Sequence, residues 1–151
     1  MSWQTTVHPW SYDFDYLGHL TAAVYPKAFE QARVEYLRNR WQTRSPAYVV
    51  AAHRMQYLKE ILEENAPIQV VIRPVRLGQS SIDLTELLLD ANGVVCNRSA
   101  STLVAWDVAA RRSRRLTTSE RDALTDDVES TPQTHPRGPI PADKTGDRNP
   151  Q

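Results

Sequence analysis

The sequence predicts an α+β fold in which one long helix packs on an antiparallel sheet of about five strands. One strand-like segment precedes a single long segment of helical period, and four strand-like segments then follow one another. In addition, Asn92-Gly93 lies between two apolar runs, which is a strong β-hairpin signal. Consecutive strands joined by hairpins favour an antiparallel sheet with helix on one face.

The first two elements are a strand and the long helix. Residues 3–12 are rich in β-branched and aromatic side chains, which favour a strand. From Thr21 onward, apolar side chains recur three and four residues apart, at Ala22, Tyr25, Phe29, Ala32 and Tyr36. Thr21 is a candidate N-cap, and Pro26 is tolerated only in a first turn. We therefore predict a helix that begins within residues 22–25 and reaches Trp41.

The later strands are predicted from apolar and β-branched runs that are separated by turn residues. They cover at least residues 48–57, then 68–77, 81–89 and 94–108. Gly78-Gln79-Ser80 supplies the turn between the second and third of these runs.

The charges divide the chain into two unequal parts. Its 151 residues contain 18 Lys+Arg and 18 Asp+Glu, a formal net charge of zero. Residues 1–116 include 14 basic and 11 acidic residues, a net charge of +3. Residues 117–151 include 4 basic and 7 acidic residues, a net charge of −3. The second part has no aromatic residue and holds five of the ten prolines, so it buries too little apolar surface to offset its ordering entropy. We predict a folded domain over 1–116 and, over 117–151, a short helix followed by a disordered, acidic, proline-rich tail.

The short helix is predicted at the start of the acidic part. Thr118 or Ser119 can cap it, and acidic side chains follow in its first turn. No structure is predicted after Val128. Truncation after Leu124 is accordingly expected to leave the melting temperature and the oligomeric state nearly unchanged.

Composition argues against several classes of protein. A net charge of zero disfavours a nucleic-acid binder that depends on a basic surface. The longest apolar run, residues 47–52, is far shorter than the ~20 residues that cross a bilayer. Residues 1–5 have no basic patch followed by an apolar stretch, so we do not expect a secretory signal there. The single cysteine, Cys96, excludes an internal disulfide and a multi-cysteine zinc site. We expect a cytoplasmic protein that has no membrane partner, metal or redox cofactor.

The loop before the helix is the strongest candidate site. Asp15 lies seven residues ahead of a helix start near Ala22, so its carboxylate can fold back toward the free N–H groups there. These donors and the positive end of the helix dipole stabilise an oxyanion. An aspartate beside them can act as general base or nucleophile. From spacing alone, a turn or capping role for Asp15 is the alternative.

The same loop and helix carry a family resemblance. Asp13-Phe14-Asp15-Tyr16-Leu17-Gly18-His19-Leu20, with the helix residues Tyr25, Phe29-Glu30, Ala32-Arg33 and Glu35-Tyr36-Leu37, resembles the opening of the 4-hydroxybenzoyl-CoA thioesterase-like branch of the hotdog-fold superfamily. That opening typically reads Asp-x-Asp-x-x-Gly-His-Val-Asn-Asn, followed by Tyr, Phe-Glu and Ala-Arg. Residues 57–59, 77–81 and 101–107 fit the same pattern, so the likeness covers roughly residues 5–116.

The resemblance implies a hotdog fold, in which the long helix is wrapped by the sheet and two subunits join their sheets edge to edge. It also implies an acyl-CoA thioesterase whose active site lies between the subunits. Asp15 would attack the thioester carbonyl or activate a water, while the N–H of Ala22 polarises that carbonyl. His19 would shape the loop or contact the substrate. The predicted substrate-binding residues are Thr21, Tyr25, Tyr57, Arg76, Ser80 and Ser81. Among them, Arg76 is a candidate substitute for the arginines that contact CoA phosphates in some relatives and that the turn over residues 78–80 lacks.

Departures from the family pattern leave alternatives open. Thr21-Ala22 stands where relatives carry Asn-Asn, which helps to hold the loop and the helix start. The alternatives are a non-catalytic acyl-CoA-binding or interaction protein and a thioesterase that acts on acyl-carrier-protein thioesters. Either a homodimer or a homotetramer is expected. Glu30, Arg33 and Tyr25 are expected to serve in packing and in a helix-to-sheet ion pair.

Overall fold

The computed structural model describes residues 2–129, which form a six-stranded antiparallel sheet and two helices. In chain order the elements are β1 (Trp3–Val7), α1 (Val24–Trp41), β2 (Tyr48–Tyr57), β3 (Ile68–Leu77), β4 (Ser81–Leu89), β5 (Val95–Asp107), β6 (Arg112–Ser113) and α2 (Thr118–Glu129). The strand order is β1-β3-β4-β5-β2, and β6 pairs with β5. The predicted antiparallel sheet is confirmed. The long helix is present as α1 and the predicted short second helix as α2, whereas the role of α1 as the central helix of a hotdog fold stays a prediction.

Helix α1 packs its apolar stripe against the inner face of the sheet. It begins at Val24, within the predicted interval, and ends at Trp41 as expected. The side chains of the stripe that are buried are Tyr25, Ala28, Phe29, Ala32, Tyr36 and Leu37. They meet inward-facing residues of the strands in one hydrophobic core, which supplies most of the driving force for this packing.

The start of α1 differs from the prediction in one detail. No side chain caps the helix, so the expected N-cap role of Thr21 is wrong. Instead, the backbone carbonyl of Thr21 accepts a hydrogen bond of 2.8 Å from the N–H of Val24. The chain therefore enters α1 through a β-turn over residues 21–24, whose own backbone satisfies one of the first N–H groups.

The first strand is shorter than predicted. It ends at Val7, and residues 11–13 form a turn of 3₁₀-helix instead of continuing the strand. Pro9 explains the early end, because it has no N–H to donate to the neighbouring strand. The bend directs the chain into the Asp15 loop.

Helix α2 begins with a reciprocal cap. The hydroxyl of Thr117 accepts from the N–H of Glu120 at 3.1 Å, and the carboxylate of Glu120 accepts from the N–H of Thr117 at 2.9 Å. The predicted caps, Thr118 and Ser119, are therefore wrong by one or two positions. The pattern is the Thr-x-x-Glu capping box, in which the residue before the first helical turn is the cap. Glu120 also forms a bidentate pair with Arg114, at 2.8 Å for both contacts.

The side chains of α2 join it to the rest of the fold. Leu124 is fully buried in the same core as α1 and the sheet. The hydroxyl of Tyr36 donates to the carboxylate of Asp127 at 2.8 Å, and Arg40 Nε donates to it at 2.6 Å. The domain boundary at residue 116 stays a prediction, and the predicted disordered tail falls on residues 130–151, which lie outside the described part.

Truncation after Leu124 is now expected to destabilise the protein, contrary to the expectation from sequence. The deletion removes Asp127 and leaves the Tyr36 hydroxyl buried without its acceptor, a loss of about 1–3 kcal/mol. Thermal unfolding should show a melting temperature lower by about 5 °C or more. Truncation after Glu129 is the matched control and should change it little. Equal melting temperatures for the two truncations would contradict an anchoring role for Asp127.

Candidate active site

The Asp15 loop is held by its own backbone and by one oxygen of the Asp15 carboxylate. Asp15 Oδ1 accepts from the N–H of Leu17 at 2.9 Å and from that of His19 at 3.1 Å. The N–H of Asp15 in turn donates to the carbonyl of His19 at 2.8 Å. Gly18 closes the loop with φ of 78°, a left-handed conformation that glycine adopts at low cost. Among residues 2–129, no group donates to Asp15 Oδ2, and the side chain is exposed.

The turn at the start of α1 presents a backbone donor close to this carboxylate. Within the described part of the chain, no group accepts a hydrogen bond from the N–H of Ala22. The carbonyl of Ala22 accepts from the hydroxyl of Tyr57 at 3.1 Å, which fixes the turn against the end of β2. A donor that is free and held in place is what an oxyanion requires.

An open cleft of about 390 Å³ brings five of the predicted site residues together. These are Asp15, His19, Ala22, Tyr25 and Tyr57. Thr21 lies in the adjoining turn but does not line the cleft. The predicted site loop, helix start and end of β2 therefore meet at one place on the surface.

The cleft also contains a contact between His19 and an acidic side chain, Glu60, that sequence reasoning missed. Glu60 Oε2 lies 2.7 Å from His19 Nε2, and both side chains are partly exposed. The two segments are held together because the N–H of Leu20 donates to the carbonyl of Ile61 at 2.7 Å. The only signal in the sequence was the position of Glu60 directly after the 57–59 segment. The ring of His19 is thus turned to Glu60, while its backbone N–H holds Asp15.

Two tyrosines form the wall between the cleft and the core. Their rings pack edge to face, with centroids 4.9 Å apart. Tyr25 is buried, whereas Tyr57 is 51% exposed. Burial, with smaller contributions from Cys96, Tyr57 and Glu60, raises the pKa of Tyr25 to about 12. Tyr25 therefore stays protonated at neutral pH and can act only as a neutral hydrogen-bonding group.

The other three predicted substrate-binding residues do not line this cleft. Arg76 is exposed, and its Nε donates to Asp83 at 2.9 Å. Ser80 and Ser81 lie where β3 turns into β4, and the carbonyl of Ser80 accepts from Ala105 at 2.8 Å. Their assignment to substrate binding stays a prediction.

A buried polar network lies under the middle of α1. Arg33 Nε donates to Glu86 Oε1 at 2.5 Å, and Arg33 Nη2 donates to Glu86 Oε2 at 3.0 Å. The hydroxyls of Ser99 and Ser101 donate to the same carboxylate at 2.6 and 3.2 Å. The expected helix-to-sheet ion pair is confirmed for Arg33, whereas Glu30 is exposed. Glu86 was missed, although it occupies the same inward phase of β4 as buried leucines.

His53 of β2 completes this network. Its Nε2 lies 2.7 Å from Ser99 Oγ and 2.9 Å from Arg33 Nη2. Burial and the neighbouring Arg33 cation lower the pKa of His53 below its ordinary value, against an opposing effect of Glu86. Protonation of His53 is therefore disfavoured in the folded protein.

This lowered pKa predicts an acid-dependent loss of stability. The unfolded chain takes up a proton at His53 as the pH falls below ~6.5, before the folded protein does, so the free energy of unfolding decreases there. His53→Gln should lose less unfolding free energy than the native protein between about pH 8 and about pH 5, measured by urea denaturation. His8→Gln, at an exposed position, is the control for loss of one imidazole. Parallel pH profiles for the native and His53→Gln proteins would refute the prediction.

Over residues 2–129, no helix has the length and apolar character needed to cross a membrane. Over the same range, no three His, Cys, Asp or Glu side chains are grouped so that they could hold a metal ion.

Solved structures resemble this chain over most of its length. A thioesterase of Thermus thermophilus, complexed with coenzyme A and Zn, matches with a TM-score of 0.72 and 28% identity, over 85% of this chain and 95% of that one. A predicted thioesterase of Bacillus stearothermophilus matches with a TM-score of 0.77 and 22% identity, over 85% of this chain and 97% of that one. A Staphylococcus aureus protein in complex with CoA matches with a TM-score of 0.78 and 13% identity, over 89% of each chain. At their lower identities, the last two show the fold alone.

The family assignment rests on a sequence profile. No curated protein matches the chain significantly. The profile of the thioesterase-like superfamily matches residues 9–132, which include the Asp15 loop, both helices and strands β2 to β6. Because this region spans most of the chain, the protein belongs to the thioesterase-like superfamily of hotdog proteins.

Proposed function

We propose that this protein is an acyl-CoA thioesterase that hydrolyses a thioester to a free acid and CoA. One observation carries the proposal: the Asp15 carboxylate and the free N–H of Ala22 line the same cleft. The pair supplies the two groups that thioester hydrolysis needs, a base or nucleophile and a donor to the oxyanion.

In the proposed reaction the thioester carbonyl oxygen accepts a hydrogen bond from the N–H of Ala22. Asp15 Oδ2 then removes a proton from a water that attacks the carbonyl carbon, or attacks that carbon itself. The carbon–sulfur bond breaks, CoA leaves as the thiolate, and the negative charge of the intermediate is stabilised at the helix start. In the second route, water afterwards hydrolyses the acyl–aspartate anhydride. His19 serves as a positioning residue that keeps the loop closed.

CoA is the favoured carrier for two reasons. The Thermus thermophilus relative, at 28% identity, is a complex with coenzyme A. The part of this chain over residues 1–116 carries a net charge of +3, and Lys59 lies in the cleft wall, which suits a polyanionic substrate. Arg76, Ser80 and Ser81 are proposed to contact the substrate from a second subunit, because they lie away from the cleft of their own chain.

A homodimer or homotetramer in the cytoplasm completes the proposal. Strand β2 lies at the edge of the sheet and pairs only with β5 within residues 2–129, so it offers unpaired backbone groups to a second copy. In this arrangement α1 of each subunit is the central helix of a hotdog fold. Analytical ultracentrifugation at micromolar concentration tests the assembly, and a monomer would count against it.

The experiment that tests the function is a panel of short, medium, long and aromatic acyl-CoAs, with thiol release followed colorimetrically. Hydrolysis of at least one class is expected. If no acyl-CoA is hydrolysed but an acyl-carrier-protein thioester is, the carrier assignment is wrong and the reaction class is retained.

A second candidate function is non-catalytic binding of acyl-CoA. It is favoured by Thr21-Ala22, which replaces the Asn-Asn of the family pattern at the helix start. Calorimetric titration with a non-hydrolysable acyl-CoA thioether distinguishes the two. Binding of the thioether, with no release of thiol from any thioester, would favour the binding protein.

A further inference from the structure

Asn97 is a fully buried polar side chain that is left without a partner. It is 0% exposed, and neither its Nδ2 nor its Oδ1 has a hydrogen-bond partner among residues 2–129. Leaving such groups unpaired costs folding free energy, and native proteins rarely do so without a reason. A ligand group that both donates and accepts a hydrogen bond would satisfy the amide.

Asn97 does not itself line the cleft, but it neighbours a residue of the cleft wall across two strands. It pairs with Tyr57 across β5 and β2, so the two side chains lie on the same face of the sheet. The carbonyl of the preceding residue, Cys96, accepts from the N–H groups of Leu58 and Lys59 at 2.9 and 3.2 Å. All three of these partners, Tyr57, Leu58 and Lys59, line the cleft.

The strand is irregular at this point. The pairing of β5 with β4 skips Cys96 between Leu88 and Leu89, and both Cys96 and Asn97 are buried, whereas a regular strand alternates. Such a bulge re-aims a side chain and is common beside active sites. Here it coincides with the segment of β5 that supports the cleft wall.

The side chain of Tyr57 is the part of the cleft wall that neighbours Asn97 across the two strands. Tyr57 is about half exposed and is held by one hydrogen bond to the Ala22 carbonyl and by its edge contact with Tyr25. Exposed side chains change rotamer on a short timescale. Movement of Tyr57 would open the cleft toward its strand neighbour Asn97, while the turn that carries Ala22 stays closed by the 2.8 Å hydrogen bond from the N–H of Val24 to the carbonyl of Thr21.

We infer that Asn97 determines specificity in the proposed thioesterase, by binding a hydroxyl group on the acyl chain once Tyr57 moves aside. A hydroxyl both donates and accepts, so one such group can bond the amide oxygen and the amide nitrogen of Asn97. A carboxylate has no hydrogen to donate to the amide oxygen, and an alkyl chain can neither donate nor accept a hydrogen bond. The inference rests on the proposed function and adds the class of acyl group to it.

The test compares straight-chain acyl-CoAs that carry one hydroxyl at successive carbons with the unsubstituted chain. The native protein should prefer one hydroxylated isomer in kcat/KM by about tenfold. Asn97→Leu, of similar shape, should abolish that preference while keeping hydrolysis of the unsubstituted chain and an equal or higher melting temperature. Ser101→Ala, on the same face of β5, is the control and should keep the preference.

The outcomes separate this inference from the proposed function. Hydrolysis without a preference for any hydroxylated isomer, or an unchanged preference in Asn97→Leu, overturns the role of Asn97 and leaves the function intact. No hydrolysis of any member of the panel overturns the function itself. If Asn97→Leu does not fold, Asn97→Ser, which keeps a donor and an acceptor, should fold and shift the preference to another isomer. An unchanged pattern in Asn97→Ser also overturns the inference.

Discussion

Asp15→Asn is expected to lower kcat/KM for the best acyl-CoA by about 10²–10⁴-fold, the usual contribution of a positioned base or nucleophile. The amide has no negative charge and can neither take the proton of a water nor attack a carbonyl. Its oxygen can still accept from the N–H groups of Leu17 and His19, which Asp15 Oδ1 does in the native loop. Since the side chain is exposed, the melting temperature and the oligomeric state should stay unchanged.

The same loop offers a matched control in Asp13→Asn. Asp13 Oδ2 accepts from the N–H of Trp10 at 2.7 Å, and an asparagine oxygen can take over that bond. Asp13 does not line the cleft, so its replacement should change kcat/KM by a few-fold at most. Equal losses in the two variants would mean that Asp15 acts through the shape of the loop. Full activity of Asp15→Asn would remove it from the reaction.

Arg33→Met is expected to have the largest effect on stability. It leaves the Glu86 carboxylate buried without its cation, and breaking a buried ion pair in this way costs about 3–5 kcal/mol. The free energy of unfolding from urea denaturation should fall by that amount. The double variant Arg33→Met/Glu86→Leu should recover a large part of the loss, since neither position of the pair then leaves an unpaired charge in the core.

The exposed pair of Arg76 and Asp83 is the comparison for this result. Its Nε to Oδ2 distance is 2.9 Å, but the Arg76 side chain is 72% exposed. Arg76→Met should therefore cost no more than about 1 kcal/mol. A cost for Arg33→Met as small as this would show that Glu86 reaches water or another donor.

The candidate site could be predicted from the sequence because its main residues lie close together along the chain. Asp15, His19 and Ala22 fall within eight residues, and the loop and helix start that carry them are set by local turn and helix signals. Their roles in the reaction stay predictions. The sequence was less informative about Glu60 and Asn97, since Glu60 meets His19, and Asn97 neighbours Tyr57, only through pairings between distant segments.

The caps show the same limit on a smaller scale. The start of α1 was located within two residues by Pro26 and the apolar period, yet Thr21 acts there through its backbone instead of its side chain. The cap of α2 is Thr117, one or two positions before the predicted residues Thr118 and Ser119. The hydrophobic period locates a helix along the sequence, whereas the geometry of its ends depends on the hydrogen-bond partners that the backbone finds there.

The sequence by itself determined the order of the elements, the antiparallel sheet and the family resemblance, because these follow from hydrophobic period, turn residues and a contiguous motif. Only the tertiary structure decided which distant polar groups meet. It paired Arg33 with Glu86, anchored α2 through Asp127 to Tyr36, and left the side chain of Asn97, the strand neighbour of Tyr57, without a partner among residues 2–129. The physical reason is that burying a polar side chain costs free energy unless it finds a hydrogen-bond or ionic partner. Those partners come from distant segments, and the register of the strands places them.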